Sequence, residues 1–258
     1  LTENKIGTKV KAYVDGDGTT GIGASSVTLS ATDTSTITAE AGAAALAISV
    51  AGTGALSLSI GAAIARNTID NSIEAYIVNA NMGVTATNGD VSISAVESAT
   101  IDANSVAATV SVAAGALVGI SLSGAGAEST NVIENSVLAH VTSSNIKTTG
   151  IDEDLIDKDL IVAASNTSDI SALVGGVAAA GGGGLGGAAG AMGVALSRNL
   201  IGLSAVGDDM PDGSSSNPYS NTVLAYIDDS KLALRGDARV TSVSDETIKA
   251  DAFAGSVA

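Results

Sequence analysis

Two carboxylates near the N-terminus have the spacing of a cation-binding loop. Residues 15–21 have the sequence Asp-Gly-Asp-Gly-Thr-Thr-Gly, so Asp15 and Asp17 flank a tight glycine turn. Oxygen ligands in such a turn suit a hard cation, and Ca²⁺ is the one cofactor that the sequence suggests. The Glu that completes an EF-hand loop is missing, because Ser26 and Val27 occupy its place. Two hypotheses therefore stand, a calcium site at Asp15 and Asp17 or a solvated turn.

Three further segments have compositions that chemistry or binding uses. Residues 151–159 form an acidic run, for which a solvated loop and calcium binding are the alternatives. Residues 203–220 contain both prolines, and an inserted loop of this kind either contacts a partner or is an inert excursion. Residues 181–187 are mostly glycine but lack the Gly-Lys-Ser/Thr ending of a phosphate-binding loop.

His140 is the only histidine of the chain. It occupies the position at which the other copies of a repeat, described next, have Tyr13, Tyr76 and Tyr226. A flat, semi-polar ring that faces a neighbouring coil would explain all four residues. We therefore predict a structural role for His140, and no Ser-His-Asp triad or other catalytic residue is indicated.

The sequence around these residues recurs along the chain. A motif that begins with Asn and leads to Ala followed by Tyr or His starts at positions 4, 67, 131 and 199, so that successive copies are 63, 64 and 68 residues apart. This period of about 64 residues indicates a repeat protein. We predict one continuous domain over residues 1–258, with repeats at approximately 1–66, 67–130, 131–198 and an incomplete 199–258, and an 18-residue insertion at 203–220.

Each repeat has the pattern of β-strands. Segments such as Val27-Thr-Leu-Ser-Ala-Thr alternate apolar and polar residues, and Gly, Asn and Asp mark turns between them. The predicted fold class is all-β, a parallel β-helix or β-solenoid. A coil of roughly 20 residues would place about three coils in one repeat and make a rod of roughly 50 Å. The repeated Asn residues could form amide ladders or bond turn backbone. With three coils in a repeat they would lie about 14 Å apart and would bond locally.

Three long segments lack any charged residue: 41–65, 103–127 and 170–197. Each exceeds the roughly 20 residues that a membrane helix needs. They nevertheless recur at one phase of the repeat, are dense in Gly, and alternate with Ser, which a membrane helix does not explain. We predict that they are buried strands packed against close neighbours and that they do not insert into a membrane.

The composition excludes several classes of partner and fits a narrow fold. The chain has no Cys, no Trp and a single Phe, so its core must be built from small and aliphatic side chains. Its 11 Lys and Arg residues against 27 Asp and Glu residues give a net charge of −16. A nucleic acid or an anionic membrane needs a cationic surface, so neither is an expected partner.

The combined pattern resembles a known family. An Ala/Gly/Ser-rich segment, then Asn-x-Ile-x-Asn-x-[Ile/Val]-x-Ala-Tyr-[Ile/Val], then a turn and Val-x-[Ile/Leu]-Ser-Ala, is similar to the repeats of giant secreted haemagglutinin-like and leukotoxin-like adhesins of Gram-negative bacteria. The resemblance covers nearly the whole chain and implies a right-handed parallel β-helix at, or released from, the cell surface. It implies no catalytic residue. Both ends fall within the repeat pattern, so we expect a segment of a longer protein.

The function that we expect is structural and adhesive, not enzymatic. The segment would serve as a rigid stalk or a binding surface, with a host or neighbouring cell surface, protein or glycan, as its partner. A second hypothesis is an extracellular filament subunit that self-associates end to end through exposed strand edges. A third is a polysaccharide-active β-helix enzyme, which would need clustered carboxylates or basic residues on one face.

Overall fold

The computed structural model describes residues 1–149, 158–202 and 221–258. Within these ranges the chain forms eighteen β-strands and no helix. The all-β prediction is therefore confirmed for the described residues. None of their segments is a helix long and apolar enough to cross a membrane.

The chain passes four times through the same set of strands, and we call each pass a rung. The first rung contains β1 (Thr2–Ile6), β2 (Lys9–Asp15), β3 (Ile22–Ala24), β4 (Val27–Asp33) and β5 (Thr36–Ala51). The second contains β6 (Gly54–Val78), β7 (Val84–Ala86), β8 (Val91–Glu97) and β9 (Thr100–Gly115). The third contains β10 (Val118–Thr142), β11 (Asn145–Thr148), β12 (Leu160–Asn166) and β13 (Asp169–Gly183). The fourth contains β14 (Ala188–Ile201), β15 (Thr222–Asp228), β16 (Lys231–Ala233), β17 (Ala238–Ser244) and β18 (Thr247–Val257).

Equivalent strands of successive rungs pair in parallel and form four sheets. Sheet I joins β1, β2, β6, β10, β14 and β15. Sheet II joins β3, β7, β11 and β16, sheet III joins β4, β8, β12 and β17, and sheet IV joins β5, β9, β13 and β18. This arrangement is consistent with the parallel β-helix that the sequence predicts.

One rung is one whole repeat, so the prediction of three coils per repeat is wrong. In sheet I, Asn67 pairs with Asn131, and the pairing continues residue by residue along β6 and β10. The chain therefore returns to the same sheet after about 64 residues, and four rungs at about 4.8 Å each give a stack of roughly 19 Å, not 50 Å. The rungs are correspondingly wide, since β6 alone has 25 residues.

The insertion in the fourth repeat is located by the strand register. Ile201 pairs with Ile133, and Thr222 pairs with Ser136. Between these two pairs the chain has 20 residues in the fourth rung and two in the third, an excess of 18 residues. Residues 203–220 themselves lie outside the described part of the chain, as do residues 151–157 of the acidic run.

The main core lies among sheets II and III and the C-terminal half of sheet I. Alternate residues of these strands point inward, and the buried ones are Ile, Val, Leu and Ala. Ile73, Ile77, Val84, Val91 and Ile93 of the second rung have no exposed surface. Period-2 burial of this kind is what the alternating sequence pattern predicts.

A thinner part of the molecule is formed by the N-terminal half of sheet I and the C-terminal half of sheet IV. Its strands belong to the three charge-free segments, residues 41–65, 103–127 and 170–197, and we call this part the blade. Two-residue turns such as Gly52-Thr53 join the two sheets at its tip. The sheets approach so closely that a Cβ atom on Gly119 would lie 2.2 Å from the carbonyl oxygen of Gly183. Only Gly, Ala, Ser and Thr fit at most inward positions of the blade.

The blade corrects the prediction that the charge-free segments are buried. They are strands, as predicted, but their large apolar side chains point outward. Leu46, Ile48, Leu56, Leu58 and Ile60 keep between 58% and 70% of their surface exposed. The inward positions of the same strands are small residues, so in the blade the small side chains are buried and the large apolar side chains are exposed.

Candidate functional site

The turn with Asp15 and Asp17 is built on left-handed backbone. Gly16 has φ of 76° and Gly18 has φ of 69°, a conformation that glycine adopts without strain. Asp15 Oδ1 accepts a hydrogen bond of 2.8 Å from Asn79 Nδ2, and Asp17 accepts one from the backbone N–H of Gly83. Both carboxylates therefore join the first rung to the second. Among the described residues, no group of three or more His, Cys, Asp or Glu side chains is placed to hold a metal ion.

Calcium binding at this turn remains a prediction. If Asp15 and Asp17 bind Ca²⁺, millimolar calcium should raise the melting temperature, and the double variant Asp15→Asn, Asp17→Asn should lose that shift. Differential scanning calorimetry with and without calcium measures both. An unmutated chain whose melting temperature ignores calcium would remove the metal hypothesis.

His140 lies in a stacked column of rings, one from each rung. Tyr13 and Tyr76 stack with ring centroids 5.1 Å apart, Tyr76 and His140 at 5.1 Å, and His140 and Tyr226 at 4.9 Å. Burial lowers the pKa of His140, although Glu74 acts in the opposite direction. The ring is thus mainly uncharged at neutral pH, and the expected structural role of His140 agrees with this geometry.

The repeated Asn residues form an amide ladder, which is one of the two arrangements expected from the sequence, and the local bonding expected for three coils in a repeat is wrong. Asn4 Nδ2 donates to Asn67 Oδ1 at 2.9 Å, Asn67 Nδ2 to Asn131 Oδ1 at 2.8 Å, and Asn131 Nδ2 to Asn199 Oδ1 at 2.7 Å. The reason is the rung length, because residues one repeat apart are direct neighbours in sheet I. Asn67 and Asn131 are buried, and the ladder satisfies their amide groups.

A buried carboxyl that the sequence did not single out is Glu97, at the end of β8. Glu97 has no exposed surface. Asn71 Nδ2 donates to Glu97 Oε1 at 3.0 Å and to Asp33 Oδ2 at 2.9 Å, while Glu97 Oε2 has no hydrogen-bond partner. Burial raises the pKa of Glu97 to about 7, the hydrogen bond from Asn71 lowers it, and the nearby charge of Asp33 raises it. Glu97 is therefore poised to change its charge near neutral pH.

The interior of the blade contains hydrogen bonds between hydroxyl groups and backbone as well as buried alanines. Ser57 Oγ donates to the Ala47 carbonyl at 3.0 Å, and Ser121 Oγ donates to the Ser111 carbonyl at 2.7 Å. These bonds cross between sheets I and IV, so they add to the apolar packing of buried alanines that holds the two sheets together. The sequence signal for these inward hydroxyl groups is the alternation along the strand, because Ser57 and Ser59 alternate with Leu56, Leu58 and Ile60.

The outer surface of the blade is the largest feature that sequence reasoning missed. In the second rung, Val106, Val110 and Val112 of β9 are 38–42% exposed. On the opposite face, Ile120 and Leu122 of β10 are 40% and 48% exposed. Strands β9 and β10 are paired on both sides, so this exposure is not an effect of the chain ends. Contiguous exposed apolar surface of this kind usually marks an interaction site.

The two residues that flank the insertion form hydrogen bonds with the third rung. Gly202, with φ of 76°, donates its N–H to the Ile133 carbonyl at 2.9 Å. The Asn135 N–H donates to Asn221 Oδ1 at 2.8 Å. Gly202 and Asn221 thus occupy the two positions opposite residues 134 and 135.

Deleting residues 203–220 should leave the fold intact. The deletion joins Gly202 to Asn221 and restores two residues opposite two, so we expect a change of less than about 1 kcal/mol in the free energy of unfolding. Urea melts measure it. Ala75→Leu tests the sensitivity of the assay, because Ala75 has no exposed surface and overpacking typically costs about 1–3 kcal/mol. If the deletion unfolds the chain while Ala75→Leu has no effect, the assigned repeat register is wrong.

Comparisons with protein-family models, curated proteins and solved structures found no match to this chain.

Proposed function

We propose that the chain is a non-catalytic structural and adhesive segment of an extracellular or cell-surface repeat protein. Its fold is a single parallel β-solenoid of about four repeats, with one repeat of about 64 residues in each rung. The observation that supports this most strongly is the register of β6 and β10, which pair without interruption from Gly54 and Val118 to Val78 and Thr142. The resemblance of the repeat motif to secreted adhesins supports the location.

The dimensions of a rung favour a role as a binding surface over a role as a stalk. Each rung advances the stack by only about 4.8 Å, which makes the chain a poor stalk for its length. Along the strand direction, the 25 residues of β6 extend over about 80 Å if straight. A repeat protein of this shape presents broad, rigid faces, and a broad face is what adhesion requires.

The placement of carboxylates supports a non-catalytic role. A polysaccharide-active enzyme requires acidic groups that reach the substrate in an open cleft. Asp33 and Glu97 share the amide of Asn71, but Glu97 is fully buried. This pair lies inside a rung junction, where the carboxyl of Glu97 has no exposed surface with which to contact a substrate.

Small-angle X-ray scattering and electron microscopy test the proposed architecture. We expect a maximum dimension near 80 Å, set by the rung width, and a thin stack of about four rungs. A compact rod of roughly 50 Å would contradict one rung per repeat. Filaments of indefinite length would favour the self-assembling subunit instead of the adhesive segment.

Binding of the labelled chain to cells tests the adhesive role. We expect saturable binding to a host or neighbouring bacterial cell surface, measured by flow cytometry. The chain denatured with heat serves as the control, because adhesion by a rigid face needs the folded sheets. Equal binding by native and denatured chain, or no binding by either, would contradict the proposal.

A further inference from the structure

A polar cleft lies at the corner between sheets I and II. It has a volume of about 550 Å³, which is within the range of roughly 300–1,000 Å³ that small-ligand sites occupy. Its lining consists of Asn81 of the second rung, residues 143–145 of the third and residues 229–231 of the fourth. Every one of these residues is Asn, Ser, Asp or Lys, and we call this feature the corner cleft.

The cleft exists because the corner is longer in the second rung than in the next two. Between the strands that pair on either side, the second rung has five residues, 79–83, the third has three, 143–145, and the fourth has three, 229–231. The longer turn makes an overhang, in which Met82 is 62% exposed. The overhang forms one wall of the cleft, and the two shorter turns form its floor.

Hydrogen bonds between rungs hold the cleft in one shape. The side-chain amide of Asn145 donates to the Asn81 carbonyl, which fixes the overhang to the third rung. Ser143 Oγ donates to Asp229 Oδ2 at 3.3 Å, which joins the two turns of the floor. A site that is already formed loses little conformational entropy when a ligand binds.

The backbone at this corner is left-handed, a conformation that glycine adopts at the least cost. Gly16 occupies the position in the first rung, whereas Asn79, Ser143 and Asp229 occupy it in the later rungs with φ of 59°, 48° and 43°. Residues other than glycine in this conformation cluster at ligand sites. Ser143 and Asp229 line the cleft, so the corner has polar side chains where its backbone alone would favour glycine.

The lining presents hydrogen-bond donors and acceptors side by side. Lys231 supplies an ammonium group, Asp229 a carboxylate, and Asn81 and Asn145 supply amides. A sugar hydroxyl both donates and accepts a hydrogen bond, as a serine hydroxyl does, so the several hydroxyls of one sugar ring match a mixed lining of this kind. An anionic ligand would face the Asp229 carboxylate, and a cationic ligand would face the Lys231 ammonium group. A neutral sugar meets neither repulsion.

Other classes of ligand fit the cleft less well. A calcium ion takes six to eight oxygen ligands, with carboxylates among them, whereas the cleft has one carboxylate, Asp229. A phosphate group would lie beside that carboxylate on a chain with a net charge of −16. An extended peptide adds to a strand edge, and the cleft is built from turns.

We propose that the corner cleft binds a neutral sugar residue, which in the proposed adhesive function belongs to a cell-surface glycan. The inference rests on that function, since it names the chemistry of the surface that is bound. The affinity for a single sugar should be weak, with Kd of about 1 mM, because hydrogen bonds to the sugar replace hydrogen bonds to water.

Saturation-transfer NMR with the methyl glycosides of glucose, galactose, mannose and N-acetylglucosamine tests the proposal. We expect transfer to at least one of the four. On titration of that glycoside into the ¹⁵N-labelled chain, the amide signals that move should be those of residues 79–83, 143–145 and 229–231. The cleft variant Asn81→Ala, Lys231→Met removes one side chain from the wall and one from the floor, and it should bind at least about fivefold more weakly.

The matched control is Asn88→Ala, Lys249→Met, which makes the same two changes at exposed positions of the second and fourth rungs outside the cleft. It should bind like the unmutated chain, and circular dichroism checks that both variants are folded. Transfer to none of the four glycosides, shifts confined to amides elsewhere, or equal binding by the cleft variant would overturn the proposal. So would binding of methyl glucuronide as tight as that of methyl glucoside, because the site would then not select a neutral sugar.

The sugar proposal and the adhesive proposal fail in different ways. If the chain binds cells, and binding survives both periodate oxidation of the cell-surface glycans and an excess of the four glycosides, the adhesive function stands and the sugar inference falls. If the cleft binds a glycoside but the chain binds no cells, the adhesive function falls while the sugar site stands. If the chain binds neither cells nor glycosides, both fall.

Discussion

Gly119→Ala is expected to destabilise the chain by at least about 3 kcal/mol, at the upper end of what overpacking costs. An added Cβ at Gly119 would lie 2.2 Å from the Gly183 carbonyl oxygen and 2.6 Å from the Ala113 carbonyl oxygen. Both obstacles are backbone atoms of sheet IV, and neither can rotate away as a side chain would. Relief requires the two sheets of the blade to separate, which breaks the hydroxyl bonds between them.

Gly124→Ala is the matched control in the same strand. A Cβ at Gly124 would meet no atom within 4 Å, so the substitution should be neutral or stabilising by up to about 1 kcal/mol through the unfolded state. Urea unfolding of both variants measures the difference. Equal midpoints for Gly119→Ala and Gly124→Ala would show that the two sheets of the blade are not in close contact.

Glu97 should make the chain less stable as the pH rises from about 4.5 to 7. Its pKa is about 7 in the folded chain against 4.5 for an ordinary Glu. In that interval the unfolded chain has lost the proton while the folded chain still holds it, so the stability that is present below pH 4.5 is lost progressively. A shift of this size corresponds to about 3 kcal/mol.

Glu97→Gln has no proton to lose at this position and should not show that decline. We expect the stability of the variant relative to the unmutated chain to improve by about 3 kcal/mol between pH 4 and pH 8. Urea melts across this range measure the relative change, which does not depend on any constant cost of the amide. Asp102→Asn, at an exposed position of β9, is the control, and its stability profile should run parallel to that of the unmutated chain. A parallel profile for Glu97→Gln would show that Glu97 is already ionised in the fold.

The ring column and the amide ladder explain why the motif is repeated. Each Asn and each Tyr or His of the motif contacts the equivalent residue of the next rung. Every copy therefore provides the hydrogen-bond partner or the stacking partner of its neighbour. Stability in such an array comes from contacts between neighbouring repeats. A repeat without an Asn and a flat ring at these positions would interrupt the ladder and the ring column. His140 replaces the Tyr of the other copies, and its flat ring continues the column.

The strand class and the phase of the repeat could be predicted from the sequence. Alternation at segments such as Val27-Thr-Leu-Ser-Ala-Thr is a local property, since side chains of a strand point to opposite sides whatever the strand packs against. The spacing from Asn67 to Asn131 equally predicted which residues correspond. The 18-residue insertion followed from the same spacing, and the register has the same excess of 18 residues between Ile201 and Thr222.

The number of rungs in a repeat was decided only by tertiary structure. Turn residues mark where strands end, but they do not determine how many strands and turns the chain makes before it pairs with its own first strand. Closure depends on the angles between sheets, and here it takes four sheets and one full period. The amide ladder of Asn4, Asn67, Asn131 and Asn199 follows from that closure, so the sequence alone could offer it only as one of two alternatives.

The tertiary structure likewise decided which side of each strand is inside. Alternation shows that Leu56, Leu58 and Ile60 share one side and that Ser57 and Ser59 share the other, but it does not say which side faces the protein. The approach of sheets I and IV leaves room only for small residues between them, so the leucines are forced outward. The same kind of cause buries Glu97, which lies where a corner brings Asn71 and Asp33 together, because distant segments and not neighbouring residues determine what surrounds a side chain.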